Sequence, residues 1–197
     1  MQPTHPEPIL IRPSRGWIGP GIRELWHYRD LGYFLVWRDL KVRYKQILFG
    51  AAWAVVQPVL LMLVFSAFLG RVQGIGPPDV PYPLFALAGL VPWILFSQSL
   101  NGASNSLVSS QNLISKVYFP RLVLPISSTI STLIDFAVAL LMMGLILAIY
   151  RIVPGWDLLL LPVWLLLMLL LAMGIGLIAA ALMVKYRDVG YVVPSAL

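Results

Sequence analysis

Four long apolar segments dominate this chain of 197 residues and decide which folds it can adopt. They cover about residues 51–69, 84–100, 122–150 and 158–184. Each reaches or approaches the ~20 residues with which an α-helix crosses a bilayer, and the apolar residues run continuously instead of alternating as in a membrane strand. The pattern therefore predicts an all-α integral membrane protein with four transmembrane helices.

The composition indicates that lipid, and not water, is the solvent for most of the chain. Apolar residues make up 59% and charged residues 11% of the sequence, against roughly 45–50% and 25% in soluble domains. This balance excludes a soluble enzyme of the same length. The sequence contains no cysteine, which excludes disulfides, thiolate metal sites and cysteine nucleophiles.

The basic residues predict how the chain is oriented in the membrane. Of the 14 Lys and Arg residues, Arg71 and Arg151 fall in segments 70–83 and 151–157, and the other 12 fall on the opposite side. Cytoplasmic segments of membrane proteins carry the excess of Lys and Arg. The distribution predicts a multi-pass protein whose N-terminus is cytoplasmic.

Two different cytoplasmic structures are predicted before the first span. Five prolines and two glycines interrupt residues 1–20, which indicates a flexible tail. Residues 21–48 show helical periodicity, with a break expected near Gly32. Aromatic and aliphatic residues share one face of this helix: Tyr33, Trp37, Leu40, Tyr44 and Ile47.

The other faces of this helix carry charged residues. Asp39 is placed to pair with Arg43 one turn later, and Arg38, Lys41 and Lys45 lie nearby. A basic amphipathic helix that leads into a membrane span is typical of a helix lying along the membrane surface.

Patterns for catalysis are absent from the sequence. It contains no G-x-x-x-x-G-K-[ST] phosphate loop, and its two histidines, His5 and His27, lie in the tail and in the surface helix. No acidic residues have the spacing of a metal site or of a general acid–base pair. We therefore predict no catalytic residue, no metal site and no cofactor in this chain, so that any energy source belongs to a partner or a gradient.

Asp135 is the one acidic residue deep inside an apolar segment, about ten residues into the third span. It shares a helix face with Ser128 and with Ser131 or Thr132. Because a charge in hydrocarbon is unfavourable, this face should meet protein or a water-filled path. Two interpretations stay open: a pathway or gating residue, and a structural hydrogen bond between helices.

Two further segments indicate contacts. Residues 101–121 predict a polar cytoplasmic loop, although the second span can also be extended as a helix through Leu107. The last part of the loop exposes apolar residues beside cations, so that it either folds back on its own helices or docks into another protein. In the fourth span, Ala172, Gly176 and Ala180 form a stripe of small residues that lets another helix approach closely.

Four stretches, in this order and spacing, resemble the ABC-2-type polysaccharide export permeases, the membrane subunits that export O-antigen, capsule and teichoic acid. The resemblance covers about residues 22–197. Its motifs are Arg38–Gln46 with Leu48–Gly50 and Trp53–Pro58, Gly89–Trp93, Asn112–Arg121 with Leu124 and Pro125, and Tyr186–Val189.

The resemblance implies a fold of six transmembrane helices behind an amphipathic interface helix, here residues 21–48. Residues 49–197 would be the permease domain, its last two spans missing after Leu197, so that the chain is a C-terminally incomplete piece. It also implies the bacterial cytoplasmic (inner) membrane, a second copy of the permease, and separate ATPase subunits that hold ATP and Mg. Membrane lipids are further partners, and nucleic acid is not.

The resemblance further implies roles for particular residues. Arg38, Lys41 and Arg43 are candidate contacts for the diphosphate of an undecaprenyl-linked glycan, the implied cargo, although anchoring to anionic lipid also accounts for them. The implied ATPase-coupling segment comprises Asn112, Leu113, Ile114, Lys116, Val117, Tyr118, Phe119, Pro120 and Arg121.

Two other functions compete with polysaccharide export at this stage. One is an ABC-2 permease for drugs or other lipids. The other, from a different class, is a membrane glycosyltransferase that uses a polyprenyl phosphate. Such an enzyme needs acidic residues near the membrane surface, where the candidates Asp39 and Asp188 each lack a second carboxylate beside them.

Overall fold

The computed structural model describes residues 22–45, 50–70, 80–152 and 155–197, and every regular element in these ranges is helical. The predicted all-α membrane fold is therefore confirmed. The predicted tail 1–20, the end of the predicted interface helix and most of the segment around Arg71 lie outside the described residues.

Eight α-helices and two short turns of other helix types make up the described part of the chain. They are α1 (Ile22–His27), α2 (Arg29–Lys45), α3 (Gly50–Phe65) with a π-helical turn (Ser66–Gly70), α4 (Tyr82–Ser109), α5 (Gln111–Ile114), α6 (Val123–Tyr150), a 3₁₀ turn (Trp156–Leu160), α7 (Leu161–Lys185) and α8 (Val189–Ala196).

Three helical stretches are long and apolar enough to cross a membrane: Tyr82–Ser109, Val123–Tyr150 and Trp156–Lys185. They correspond to the second, third and fourth predicted spans. Over the first predicted span the apolar stretch is shorter and covers Val56–Phe68. α4 and α7 each have a proline in the first turn. Proline suits this position, because the N–H groups of a first turn have no partner within the helix and proline has no N–H to leave unpaired.

The structure favours the extension of the second span over a loop that begins at Asn101, because α4 continues through Ser109. Ser104, Ser106 and Ser109 each donate a hydrogen bond from the hydroxyl to the carbonyl three residues earlier. The side chains of Asn101 and Asn105 donate to the carbonyl four residues earlier. The polar groups are thus satisfied within the helix, and so this polar stretch remains helical.

The expected break near Gly32 is wrong, since α2 runs through it and the interruption lies at Tyr28, between α1 and α2. A Cβ at position 32 would lie 3.7 Å from Cγ1 of Val123 on α6. This distance is an ordinary van der Waals contact, so Gly32 lies where α2 packs on α6 and does not break the helix.

α4 is the central helix of the bundle and contacts α3, α6, α7 and α8. Its buried face meets α6 and α7 in an apolar core. The buried members of this core are Leu87, Val91, Leu95, Phe136, Ala139 and Leu169. This core fixes α4 and α6 side by side and so positions the polar residues that extend along the same two helices.

A second apolar cluster attaches α2 to the start of α6. Leu35 of α2 is buried with Phe119, Val123 and Leu124, and Leu113 and Ile114 pack against them. The interface helix therefore docks on the bundle with the face that contains Leu35. Tyr33 and Trp37, on the aromatic face predicted from the sequence, are exposed.

Candidate functional site

Asp135, the acidic residue inside the third predicted span, contacts the C-terminal end of α2. Its Oδ2 accepts a hydrogen bond from Nη1 of Arg43, and its Oδ1 accepts one from the hydroxyl of Tyr44. Both carboxylate oxygens are thus satisfied by α2. The helix α2 brings two consecutive residues to α6, because its Leu35 cluster holds it against that helix.

The three groups differ in exposure. The side chain of Asp135 is 12% exposed and that of Arg43 41% exposed, so water reaches the guanidinium more easily than the carboxylate. The pKa of Tyr44 is raised to about 12, first because burial disfavours the phenolate and second because its hydroxyl donates to Asp135. At neutral pH the tyrosine is therefore a neutral donor to a carboxylate.

The ion pair expected within α2 is wrong. Asp39 pairs with the adjacent Arg38, whose Nη2 lies 2.9 Å from Oδ1 of Asp39, and not with Arg43 one turn later. Arg43 pairs across the helix interface with Asp135 instead. The reason is burial: a carboxylate shielded from water gains more from a cation than one at the surface does.

A cavity of about 620 Å³ lies beside the ion pair, between the end of α2 and helices α3, α4 and α6. One side is apolar and includes Val91, Leu95 and Phe136. The polar and charged residues that line it are Arg43, Tyr44, Gln57, Ser97, Gln98, Asn101, Asn105, Thr132 and Asp135. The predicted pathway residue therefore lines an actual cavity, and it also makes the contacts that the structural interpretation requires.

A smaller groove of about 410 Å³ adjoins this cavity and shares Arg43, Gly102 and Asn105 with it. Arg38 and Asp39 line the groove, and the remaining polar lining is mostly serine: Ser106, Ser109, Ser110, Ser127, Ser128 and Ser131. The polar face predicted around Asp135 is thus divided, since Ser128 and Ser131 line the groove and Thr132 lines the cavity.

The three cations expected to meet a lipid diphosphate do not form one cluster of free charges. Arg38 is engaged by Asp39 and Arg43 by Asp135, and Lys41 is exposed. Both arginines line the groove, whereas Lys41 lines neither it nor the cavity. Within the described ranges, no group of three or more His, Cys, Asp or Glu residues is placed to hold a metal ion.

The structure divides the expected ATPase-coupling segment into two parts. Phe119 is 6% exposed and Pro120 is buried, and Leu113 and Ile114 pack beside Phe119. Tyr118 is 66% exposed. The other exposed members are Asn112, Lys116, Val117 and Arg121. One part of the segment thus folds back on the bundle and the other part is exposed, while docking of the exposed part into another protein stays a prediction.

The stripe of small residues lies at the contact between α7 and α4. Ala172, Gly176 and Ala180 are all buried, and a Cβ at position 176 would lie 2.7 Å from Cβ of Ala103. The backbone of α7 therefore approaches α4 as closely as glycine permits. This contact holds α4 from the side opposite the cavity, so it supports the cavity without lining it.

Sequence similarity to known proteins identifies the family of this chain. Residues 31–197 match the ABC-2 type transporter family. The chain belongs to this family. The O-antigen export system permease protein RfbA of Myxococcus xanthus is 35% identical over 176 residues, which make up 89% of this chain and 67% of that protein.

Other relatives also carry names from polysaccharide export. An O-antigen export system permease protein RfbA of Klebsiella pneumoniae is 29% identical over 163 residues, 81% of this chain and 61% of that protein. The polysialic acid transport protein KpsM of Escherichia coli is 28% identical over 165 residues, 81% of this chain and 62% of that protein. The chain thus spans about three fifths to two thirds of the length of these relatives and is related to export permeases.

Several residues of the cavity are not predicted from the sequence, namely Gln57, Gln98, Asn101 and Asn105. A signal for three of them exists, because Ser97 or Gln98, Asn101 and Asn105 recur at helical spacing. The polar composition of residues 101–121 hid this signal, since it suggested a loop. No comparable spacing marks Gln57, which stands alone in α3.

Proposed function

We propose that this chain is the membrane part of an ABC exporter that moves a lipid-linked polysaccharide across the bacterial inner membrane. Separate ATPase subunits supply the energy, two copies of the permease form the membrane path, and the N-terminus is cytoplasmic. The observation that carries the proposal is the family match over residues 31–197, together with relatives named for O-antigen export and polysialic acid transport.

The outward-facing part of the coupling segment supports docking of the ATPase. Val117 and Tyr118 offer apolar and aromatic surface, and Lys116 and Arg121 add positive charge beside them. An exposed aromatic residue next to cations is typical of a protein–protein contact. Among the described residues, Tyr118 is therefore the expected anchor of the ATPase.

The buried part of the same segment supports transmission of motion. Phe119 packs against Leu35 of α2 and Val123 of α6, one residue from Tyr118. A displacement of Tyr118 by the ATPase would therefore move two elements, the interface helix and the start of a membrane helix. These two elements also meet at Arg43 and Asp135, beside the cavity.

The experiment replaces Tyr118 by Ala in the full-length exporter. We expect ATP-dependent export to fall about ten-fold, the effect of losing an aromatic anchor at an interface. Membrane insertion should be unchanged, because Tyr118 contributes little to the core. Export is measured as polysaccharide at the cell surface, and ATP hydrolysis is measured in the purified complex.

The matched control is Tyr150→Ala, which removes an exposed tyrosine at the opposite end of α6. It should leave export close to that of the unchanged exporter. If Tyr118→Ala left both export and the coupling of ATP hydrolysis intact, the docking role of this segment would be rejected.

A further inference from the structure

The cavity beside Asp135 has a hydrogen-bonding character that favours one class of ligand. We propose that it binds an uncharged, hydroxyl-rich sugar ring and not the phosphate of a lipid carrier. The inference rests on the proposed export function and adds the chemical group that the cavity selects. It replaces the expectation that Arg43 is a contact for a diphosphate.

The charges that line the cavity cancel. Arg43 and Asp135 are its charged residues, and they form an ion pair with each other. A phosphate site needs surplus positive charge, usually an arginine whose donors are free to meet the oxygens. Here the carboxylate of Asp135 would repel a phosphate that approached the guanidinium. An uncharged ligand meets no such penalty.

Four small polar side chains of the lining use a donor within their own helix. Ser97, Asn101, Asn105 and Thr132 each donate to a backbone carbonyl three or four residues earlier. The two hydroxyls keep only lone pairs, which accept, whereas the two carboxamides keep their oxygen and one N–H. A phosphate oxygen accepts, so it can use the N–H groups alone. A sugar hydroxyl can use both kinds of group, because it donates as well as accepts.

The rest of the lining suits the other parts of a sugar ring. Gln57 and Gln98 carry carboxamides that both donate and accept. Ile94, which is half-buried, adds apolar surface for the C–H face of the ring. The volume of about 620 Å³ lies in the range of roughly 300–1,000 Å³ in which proteins bind small molecules.

Sugar binding can be measured on the 197-residue chain in nanodiscs of phosphatidylcholine, which contain no sugar. The probes are methyl α-D-mannoside and methyl β-D-galactoside, observed by saturation-transfer NMR. Inorganic pyrophosphate and N-acetylneuraminic acid serve as anionic competitors. We expect saturable binding of at least one methyl glycoside, with no displacement by pyrophosphate and weaker binding of the carboxylate-bearing sugar.

The decisive variant is Gln98→Leu, which removes a carboxamide from the cavity and keeps a side chain of similar size. We expect about five-fold weaker sugar binding, the effect of losing a hydrogen bond or two. The matched control, Gln111→Leu, makes the same change on the exposed surface of α5 and should bind as the unchanged chain does. Helical circular dichroism establishes that both variants are folded.

Three results would overturn the inference: no saturable binding of either the methyl glycosides or dodecyl α-D-mannoside by the unchanged chain, displacement of the sugar by pyrophosphate, or equal losses in Gln98→Leu and Gln111→Leu. The first two need no variant and do not depend on how a substitution affects folding. If no sugar bound while export still depended on Tyr118, this inference would be rejected and the proposed function would stand. Sugar binding without any export would remove the proposed function instead.

The sugar ring could reach the cavity from solution or from a lipid-linked glycan. A second arm therefore uses dodecyl α-D-mannoside inserted into the same nanodiscs. Binding of both mannosides supports the cavity site with access from water. Binding of the dodecyl compound alone, weakened in Gln98→Leu, supports it with access from the membrane.

Discussion

At the scale of single residues, one ion pair joins the surface helix to the membrane bundle. Asp135 accepts from Arg43 and from Tyr44, so that a carboxylate in an apolar helix has both oxygens satisfied. Leaving this carboxylate unpaired would be unfavourable, since few water molecules reach it. The pair therefore fixes the end of α2 next to the cavity.

Replacing Asp135 by Asn tests this contact. Because Asn removes the charge but keeps the shape, Arg43 loses its partner, and we expect the free energy of unfolding to fall by about 1–3 kcal/mol. The partial exposure of Arg43 keeps the effect below that of a fully buried pair. The matched control is Asp39→Asn in the surface pair with Arg38, expected to cost under about 1 kcal/mol. Unfolding in SDS measures both, and equal losses would contradict the assigned role.

The raised pKa of Tyr44 gives a separate prediction. A tyrosine whose pKa is about 12 in the folded chain and about 10 when unfolded stabilises the folded state fully below pH 10. That contribution is lost as the pH rises from about 10 through about 12. In an absorbance titration at 295 nm, Tyr44→Phe should remove the tyrosine that ionises near pH 12. Loss of a tyrosine that ionises near pH 10 would show that Tyr44 is neither buried nor bonded to Asp135 as described.

Part of this site follows from the sequence. The spacing of Ser128, Thr132 and Asp135 predicts a polar helix face that needs a protein or water partner. The partner itself could not be predicted, because Arg43 is 92 positions away in the chain and local spacing favours a pair with Asp39. Only the packing of α2 on α6 decides between the two.

At the scale of helices, the contact of α7 with α4 depends on Gly176. Replacing it by Ala places a Cβ 2.7 Å from that of Ala103 and 3.4 Å from the carbonyl oxygen of Leu100. The helices must separate, and we expect a loss of about 1–3 kcal/mol of stability.

The control for this prediction lies two residues earlier. A Cβ at Gly174 meets nothing within 4 Å, so Gly174→Ala should be neutral or stabilising by up to ~1 kcal/mol through helix propensity. Thermal unfolding in detergent compares the two variants. A similar change in both would mean that Gly176 is not at a tight helix contact.

Hydropathy alone places the three long spans well, since length and apolar content suffice for a membrane helix. Hydropathy fails at Asn101–Ser109. The polar composition there favours a loop, but the side chains donate hydrogen bonds to the carbonyls of their own helix, and the stretch stays helical. The small-residue stripe is recognisable beforehand because its spacing of four keeps all three residues on one face. Which helix meets that face is decided by the tertiary fold.

The exposure pattern of residues 111–121 is also a property of tertiary structure. The composition indicates that the apolar residues beside the cations are buried against other protein surface. It does not show whether that surface belongs to the bundle or to a partner. The structure assigns Phe119 to the bundle and leaves Tyr118 exposed. Two neighbouring residues of similar chemistry thus have opposite environments, which no sequence pattern distinguishes.

At the scale of the whole molecule, the chain combines a surface helix, a bundle built around α4, and an outward-facing segment between α5 and α6. The family match and the helical bundle establish a multi-pass membrane protein related to polysaccharide export permeases. The proposed docking of an ATPase on Tyr118 connects these parts, because the same segment is anchored to both α2 and α6.

The most direct test of this account is site-specific cross-linking of the full-length exporter. The 197 residues contain no cysteine, so Tyr118→Cys and Trp156→Cys each introduce a single thiol among them. Both positions are exposed, and the predicted topology places them on opposite sides of the membrane. The account predicts that Cys at position 118 cross-links to the ATPase subunit and is labelled from the cytoplasm, whereas Cys at position 156 is labelled from outside and does not cross-link. Labelling of position 118 from outside, or an ATPase cross-link from position 156 alone, would contradict it.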